Sequence, residues 1–313
     1  MAWQALRSPV KLPQMLRYRL SASVRFSLRV AAPACLVLAF LTSCHSFKNA
    51  SKDASKDASK DAGSAKYVPI APERIEAINN ASKQPLYDGP VGAIEGTVTV
   101  SGDEAPDMLP YIDKIPPDCD VAKQTYGKLF REGPGRTLAD VLVAATGFKG
   151  YVKSTSEHVE VEARNCAWAK RTVGVTFGQR IEARSKDTRA YIPQLLGGPP
   201  GALLVAVPGG ESVPVFPQEV GHYVLIDSMR LYSKADVFVV RYPTFDVTGE
   251  NGRFRIDKIP VGPVTVSALL PSTSGTASRQ VTVAANEVTK VDLVLTFSAS
   301  SFRPPGPKPH PSN

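Results

Sequence analysis

From Gly92 onward, apolar and polar residues alternate in short runs broken by Gly and Pro, as in Ala93-Ile94-Glu95-Gly96-Thr97-Val98-Thr99-Val100. A period of two places every second side chain on one face of a pleated chain, so such runs predict half-buried strands. Comparable runs fall at 139–145, 158–163, 173–183, 202–207, 223–227, 237–242, 253–256, 264–269, 279–283 and 288–296. No long stretch of helical period separates them, and closely spaced short strands of this kind predict an all-β chain of antiparallel β-sandwiches. Roughly 205 residues in this mode suit two small sandwiches better than one large one. Ahead of the first strand, residues 71–82 predict one short helix with Pro72 in its first turn, where a missing N–H is tolerated.

Upstream the pattern changes twice. Residues 51–62 repeat Ser-Lys-Asp-Ala three times; with no apolar face at any period, burial cannot offset the entropy of ordering, which predicts a solvated spacer. The roughly 23 residues between Cys44 and Tyr67 would span about 26 Å as a flexible coil. The first 29 residues carry Arg7, Lys11, Arg17, Arg19, Arg25 and Arg29 with no acidic residue, and an apolar run follows over 30–41. At about a dozen residues that run is short for ~30 Å of hydrocarbon, which takes ~20, and its charge order is that of a signal peptide. Leu41-Thr42-Ser43-Cys44 closes it in the pattern of a bacterial lipoprotein signal. Cys44 is therefore expected to start the mature chain, its thiol carrying a thioether-linked diacylglycerol and its new α-amine open to an acyl group such as palmitate. At ~0.8 kcal/mol per buried methylene, two or three acyl chains make a durable attachment. A plain secreted protein or an uncleaved anchor is the alternative, and Met15 is a second candidate start. His45 and Ser46 follow Cys44 where an Asp would retain the protein at the inner membrane under the enteric sorting rule, so the outer membrane is favoured.

Composition changes meaning after such processing. The chain holds 37 basic and 29 acidic residues, a formal charge of +8, which invites a nucleic-acid partner. Six of the basic residues leave with the leader, so 31 stand against 29, or +2, and that argument falls. Of the four cysteines, Cys35 is discarded and Cys44 is acylated, leaving Cys119 and Cys166. In an oxidising periplasm these are a candidate disulfide closing a loop of roughly 48 residues, worth ~4 kcal/mol in the chain-entropy account. Two separately buried thiols are the alternative.

Val175-Thr176-Phe177-Gly178-Gln179-Arg180-Ile181-Glu182-Ala183-Arg184-Ser185-Lys186-Asp187 resembles the segment in which cupredoxin-like proteins run a strand into a turn ahead of their first copper histidine. Residues 242–262, through Gly249-Glu250-Asn251-Gly252, resemble the opening of a carboxypeptidase-regulatory-like, prealbumin-like sandwich. The order is similar to that of a bacterial family joining a plastocyanin-like domain to such a module, and the likeness covers about residues 90–297. It implies a cupredoxin-like sandwich over 90–242 and a seven-stranded regulatory-like one over 243–297, with Asn251-Gly252 as a type I′ hairpin turn. A blue-copper site needs two imidazoles and a thiolate, usually with a weak axial thioether. Carried over by spacing, the four ligand positions fall on Tyr191, Asp227, Arg230 and Ser233, none of which can take its assigned role. Met229 stands nearby, but no shift of register supplies the thiol or the imidazoles. A histidine common in the later strand of the copper-bearing relatives is also missing, where Ala268-Leu269-Leu270 stands. The expectation is no metal and no cofactor.

Tyr191, Asp227, Arg230 and Ser233 are then either a repurposed pocket at the open end of the sandwich or ordinary solvated loop residues. Asp227 and Arg230, if exposed, would form an ion pair worth only ~0.2–1 kcal/mol. His158 alternates with Glu160 and Glu162, a set able to hold a hard metal or merely a solvated strand face. No nucleophile-elbow sequence occurs, and Gly197-Gly198-Pro199-Pro200-Gly201 lacks the Lys-Ser/Thr of a phosphate loop, so it reads as a turn. Trp168, beside Cys166, reads as core packing, while Tyr87, Tyr111, Tyr126, Tyr151, Tyr223 and Tyr232 are candidate sugar platforms. The segments expected are a signal peptide at 1–43, the lipid anchor, spacer and helix at 44–89, the two sandwiches, and a Pro- and Ser-rich disordered tail at 298–313. The function expected is a non-catalytic binding or scaffolding lipoprotein of the cell envelope, held to the membrane by its anchor and engaging an envelope protein or glycan. A polysaccharide-binding surface lipoprotein is the alternative, and a periplasmic copper redox protein a third reading.

Overall fold

The computed structural model describes residues 70–199 and 201–302. The leader, Cys44, the Ser-Lys-Asp-Ala repeat and residues 303–313 lie outside this range. The chain runs through α1 (Pro72–Asn79), β1 (Val91–Gly102), α2 (Leu109–Ile112), α3 (Asp120–Tyr126), β2 (Glu132–Gly133), β3 (Thr137–Leu138) and β4 (Leu142–Thr146). There follow β5 (His158–Arg164), β6 (Ala167–Trp168), β7 (Thr172–Thr176), β8 (Arg180–Ser185), β9 (Pro193–Leu196), β10 (Val213–Val215), β11 (Gly221–Asp227) and β12 (Arg230–Val240). The last strands are β13 (Phe245–Val247), β14 (Arg253–Pro260), β15 (Gly262–Leu270), β16 (Gly275–Val283), β17 (Val288–Lys290) and β18 (Leu293–Phe297). The architecture is all-β, as the two-residue period predicts.

One sandwich is built around β1, which pairs antiparallel with β14 and β3 and parallel with β17 and β18. Its facing sheet has the order β13-β4-β15-β16. Ile94, Val98, Leu138, Val143, Phe254 and Val266 meet between the sheets, each at most 3% exposed, and burial of side chains of this size contributes ~1.5–3 kcal/mol apiece. The other sandwich packs a β10-β8-β5-β6 sheet on a β7-β12-β11-β9 sheet. Its core holds Trp168, Phe177, Ile181, Leu225 and Val237. Both of its sheets contain a parallel pair, β5 with β8 and β7 with β12. Helix α1 lays Ile75 and Ile78 on this core. It crosses directly over Gly178, whose φ of +100° turns the chain and where a Cβ would stand 2.8 Å from Ile75. That turn divides the single strand expected at 173–183 into β7 and β8.

The boundary expected between residues 242 and 243 is not where the cores divide. Strands β1 to β4 belong with the C-terminal strands, because Ile94, Val98 and Val100 bury against Phe254, Ile256 and Val266. The chain leaves this sandwich after β4 and returns beside it at β13, with Phe245 opposite Ala144 and Val247 opposite Leu142. The second sandwich is an insert between two paired strands, and the span 245–297 supplies six strands, not seven. Alternation reports which face of a strand is buried, not which partner covers it, so chain order misassigned β1 to β4.

Smaller departures have local causes. Asp140 adopts φ +63°, so the strand expected from residue 139 begins at Leu142. Residues 202–207 form no strand; Ala206 alone bridges to Tyr191. At the β13–β14 turn Gly252 has φ +66° and Asn251 does not share a positive φ, and Gly252 N–H reaches back to Gly249 O at 2.9 Å. The connection is thus a turn followed by a left-handed glycine rather than type I′. The start of the expected tail is ordered, since residues 299–301 form a 3-10 turn and Phe302 rests on the core.

Candidate functional site

The four positions matched to copper ligands converge at one end of the inserted sandwich, and they are filled with mutually satisfied groups. Tyr191, Asp227 and Ser233 are each 0% exposed. The Tyr191 hydroxyl donates to Asp187 Oδ2 at 2.6 Å and accepts the Cys166 N–H at 2.9 Å. Asp227 ends β11, and its Oδ1 accepts the N–H groups of Ile192 and Met229 at 3.0 and 3.1 Å. Its Oδ2 accepts from Arg230 Nη1 at 2.7 Å. The same guanidinium donates to Ala190 O at 3.1 Å and lies 4.8 Å from the centre of the Tyr191 ring. Ser233 Oγ meets the Tyr126 hydroxyl at 3.2 Å, and that hydroxyl accepts the Trp168 N–H at 3.1 Å.

Tyr126 comes from α3, which is fastened across this end. Cys119 and Cys166 are disulfide-bonded with Cα atoms 5.6 Å apart. Arg189 pairs with Asp118, just ahead of the helix, and Tyr126 and Tyr232 meet edge to face at 6.4 Å. Burial raises the Tyr126 phenol to about 12, against the pull of its bonds to Ser233 and Trp168. Burial, reinforced by the bond to Asp187, also holds the Tyr191 phenol above its ordinary value. At Asp187 burial opposes ionisation, yet hydrogen bonds from Tyr191 and from the Thr188 and Cys166 N–H groups outweigh it and the carboxyl lies below its usual range.

These residues do not fit a blue-copper centre. Sulfur and imidazole are missing, and the oxygen lone pairs of Tyr191 and Asp227 are spent on amide, hydroxyl and guanidinium donors. Neither do they line a cavity, so the repurposed pocket and the solvated loop are both replaced by a closed polar plug. The Asp227–Arg230 pair, expected on the surface, has side chains only 0% and 16% exposed.

A concave surface lies elsewhere, a groove of about 710 Å³ where the insert meets β13 and β14. Strands β5 and β7 form its walls, and Phe245 lies across Gly174, where a Cβ would be 2.3 Å from the ring. His158, Glu160 and Glu162 line it. Among the described residues, however, no three His, Cys, Asp or Glu side chains are grouped to hold a metal. Thr176 is 2% exposed, lines the groove, and its hydroxyl has no hydrogen-bond partner. A smaller hollow of about 260 Å³ lies beside Tyr223, lined by residues 196–199, 201 and 202.

Among the described side chains, the candidate tyrosine platforms do not share a face; the Tyr111 side chain lies outside them. Tyr126 and Tyr223 are core residues at 6% and 5% exposure, Tyr87 bonds to Pro90 O, and Tyr232 reaches Cys119 Sγ. Trp168 is buried in the core as its setting predicted. Asp187, Gly174, Thr176 and Phe245 were not expected as site residues, and Tyr126 was expected only as a sugar platform. For the plug, the resemblance had placed Tyr191, Asp227, Arg230 and Ser233 together, and the cysteine pair was the signal that ties Tyr126 to this end of the insert.

No protein-family model matches the chain, and no curated protein matches it. Solved structures that resemble it include a Cu(I) amicyanin variant, 13% identical over 28% of this chain and 86% of that one, with a TM-score of 0.23. A second amicyanin variant, in the reduced state, is 13% identical over 31% and 98%, with a TM-score of 0.22. The copper-containing nitrite reductase of Thermus scotoductus SA-01 is 17% identical over 30% of this chain and 24% of its own, with a TM-score of 0.24. Likenesses this distant give no residue of this chain a role.

Proposed function

We propose that this chain is an exported lipoprotein of the cell envelope, acylated at Cys44 and held to the outer membrane, whose folded part is a non-catalytic binding module. Its insert is read as a cupredoxin-like sandwich in which the metal end has been converted to packing, carried on a regulatory-like sandwich completed by β1 to β4. The observation that carries this reading is the closed network of Tyr191, Asp187, Asp227, Arg230, Ser233 and Tyr126. Each of these side chains has a partner within the protein, which suits a rigid scaffold and argues against a site that ligates copper or moves a proton. Binding is then the business of the groove between β5, β7 and β13.

Labelled palmitate supplied to cells expressing the full chain tests the anchor. The expected result is label in the wild-type protein in outer-membrane fractions and none in Cys44→Ser, with that variant released from the membrane. An unlabelled, intact chain recovered from cytosol contradicts the reading.

A further inference from the structure

We infer that the groove takes an extended, acidic peptide segment, which pairs by its backbone with the free edge of β5; this rests on the binding-module reading and adds the class of ligand. The bonds from Arg180 N–H to Glu157 O at 3.1 Å and from Lys186 N–H to Ala163 O at 2.9 Å turn the odd-numbered peptide groups of β5 toward β8. Alternation in a parallel ladder turns the even-numbered ones away. Of these, the His158 groups are tied to Ser156 Oγ, and Glu162 O accepts the Ala169 N–H at 2.9 Å. Strand β6 covers β5 only from Ala163 to Arg164. The Glu160 N–H and C=O and the Glu162 N–H are left as an open edge, and both residues line the groove.

The opposite wall is a buried strand edge, covered at Gly174 by Phe245. Asp236 N–H to Arg171 O and Phe177 N–H to Val240 O fix the odd-numbered groups of β7 against β12. The peptide groups of Thr172 and Gly174 therefore turn away from β12, and both residues line the same groove. The open edge of β5 presents its donors and acceptor beside the orphaned Thr176 hydroxyl, over an apolar floor that includes Phe245 and Val173. A peptide backbone, with its donor and acceptor repeating every second residue at ~6.6 Å, matches that spacing, and a groove of about 710 Å³ is within the range of ligand sites.

Charge selects the class of peptide. Lys153, Lys170 and Lys258 are exposed on the groove rim and none has a carboxylate partner among the described residues. Against them stand two carboxylates without a cationic partner, Glu160 and Asp246, the latter accepting only the backbone N–H groups of Val247 and Arg255; Asp257 pairs with Arg255 at 3.0 Å and Glu162 with Arg164 at 3.2 Å, so three free ammonium groups face two free carboxylates. Carboxylates on an incoming strand meet free ammonium groups, whereas a basic strand meets like charge.

The test titrates the full chain with a blocked octapeptide alternating Val and Asp, its Val-Lys counterpart, and oligogalacturonate as an anionic glycan. The acidic peptide is expected to bind at least about tenfold tighter than the basic one and to slow amide exchange at Glu160 and Glu162. Glu160→Pro removes the outward N–H without touching the β8 ladder, a replacement edge strands tolerate, and is expected to abolish binding while thermal unfolding is unchanged. Lys170→Glu with Lys258→Glu, both on the surface, is expected to reverse the preference between the peptides and serves if the proline variant fails to fold. Equal binding by wild type and Glu160→Pro, no preference for acid, or no change in exchange on β5 overturns the proposal. Oligogalacturonate binding that survives Glu160→Pro but is lost in the double lysine variant overturns it in favour of a glycan. None of these results depends on acylation, so failure here and failure of palmitate labelling at Cys44 are separate outcomes.

Discussion

Asp227, a position that the resemblance matches to a copper ligand, is held by structural contacts alone. Its carboxylate satisfies two backbone N–H groups and one guanidinium at zero exposure. Removing it leaves both N–H groups without an acceptor and the half-buried guanidinium with only the Ala190 carbonyl, a change of the kind that costs ~3–5 kcal/mol. Asp227→Ala is therefore expected to lose about that much in urea unfolding with an unchanged slope, and a loss under about 1 kcal/mol would show the network to be slack. The phenols make a second case. Tyr126 and Tyr191 have folded pKa values raised above the ordinary 10. A raised value favours the protonated form in the native state. Their contribution is thus complete below pH 10 and is lost as pH climbs toward the folded value, about 12 for Tyr126. Absorbance titration is expected to show two phenols ionising only with unfolding, and Tyr126→Phe to move alkaline unfolding upward.

At the level of elements, the α2–α3 arm is the least expected feature, and the disulfide is its covalent fastening. Cys119 and Cys166 are 47 residues apart, and bridges of this kind contribute ~2–5 kcal/mol. Changing both to Ala is expected to cost that much and to speed amide exchange through Asp120–Tyr126 while β15 and β16 stay protected. Uniform loss of protection would mean that the arm and the sandwiches unfold together. The strands themselves were legible wherever one face is buried, as in β5, where Val161 and Ala163 turn inward and Glu160 and Arg164 outward. The run 202–207 misled because apolar side chains there are exposed, Leu203 at 65% and Val207 at 49%. The plug was half legible: spacing placed Tyr191, Asp227, Arg230 and Ser233 together. Its closure depends on Asp187 and on Tyr126 from a distant helix, contacts that leave no periodic trace.

For the whole molecule, the consequence is that the C-terminal sandwich is discontinuous and the insert is clamped at its root. Asp140 takes two bonds from Arg131, at 2.7 and 2.8 Å, and one from the Arg171 N–H at 2.8 Å. The Arg171 guanidinium binds the carbonyls of Thr125, Lys128 and Leu129. A fragment of residues 243–302 lacks β1 and β4, the central strands of its two sheets, and is expected to show no cooperative unfolding. Residues 70–302 are expected to unfold cooperatively, and a folded fragment would restore the boundary at 242. A clamped insert fixes the walls of the groove relative to β13, which is what strand addition needs.

The most direct test of the account is a copper titration of the full chain, followed by absorbance and calorimetry with either oxidation state. The closed network predicts no stoichiometric binding and no intense visible charge-transfer band, with unfolding unaffected by the metal. One tightly held equivalent whose band disappears in Asp227→Ala would show that this end of the insert is a metal site after all.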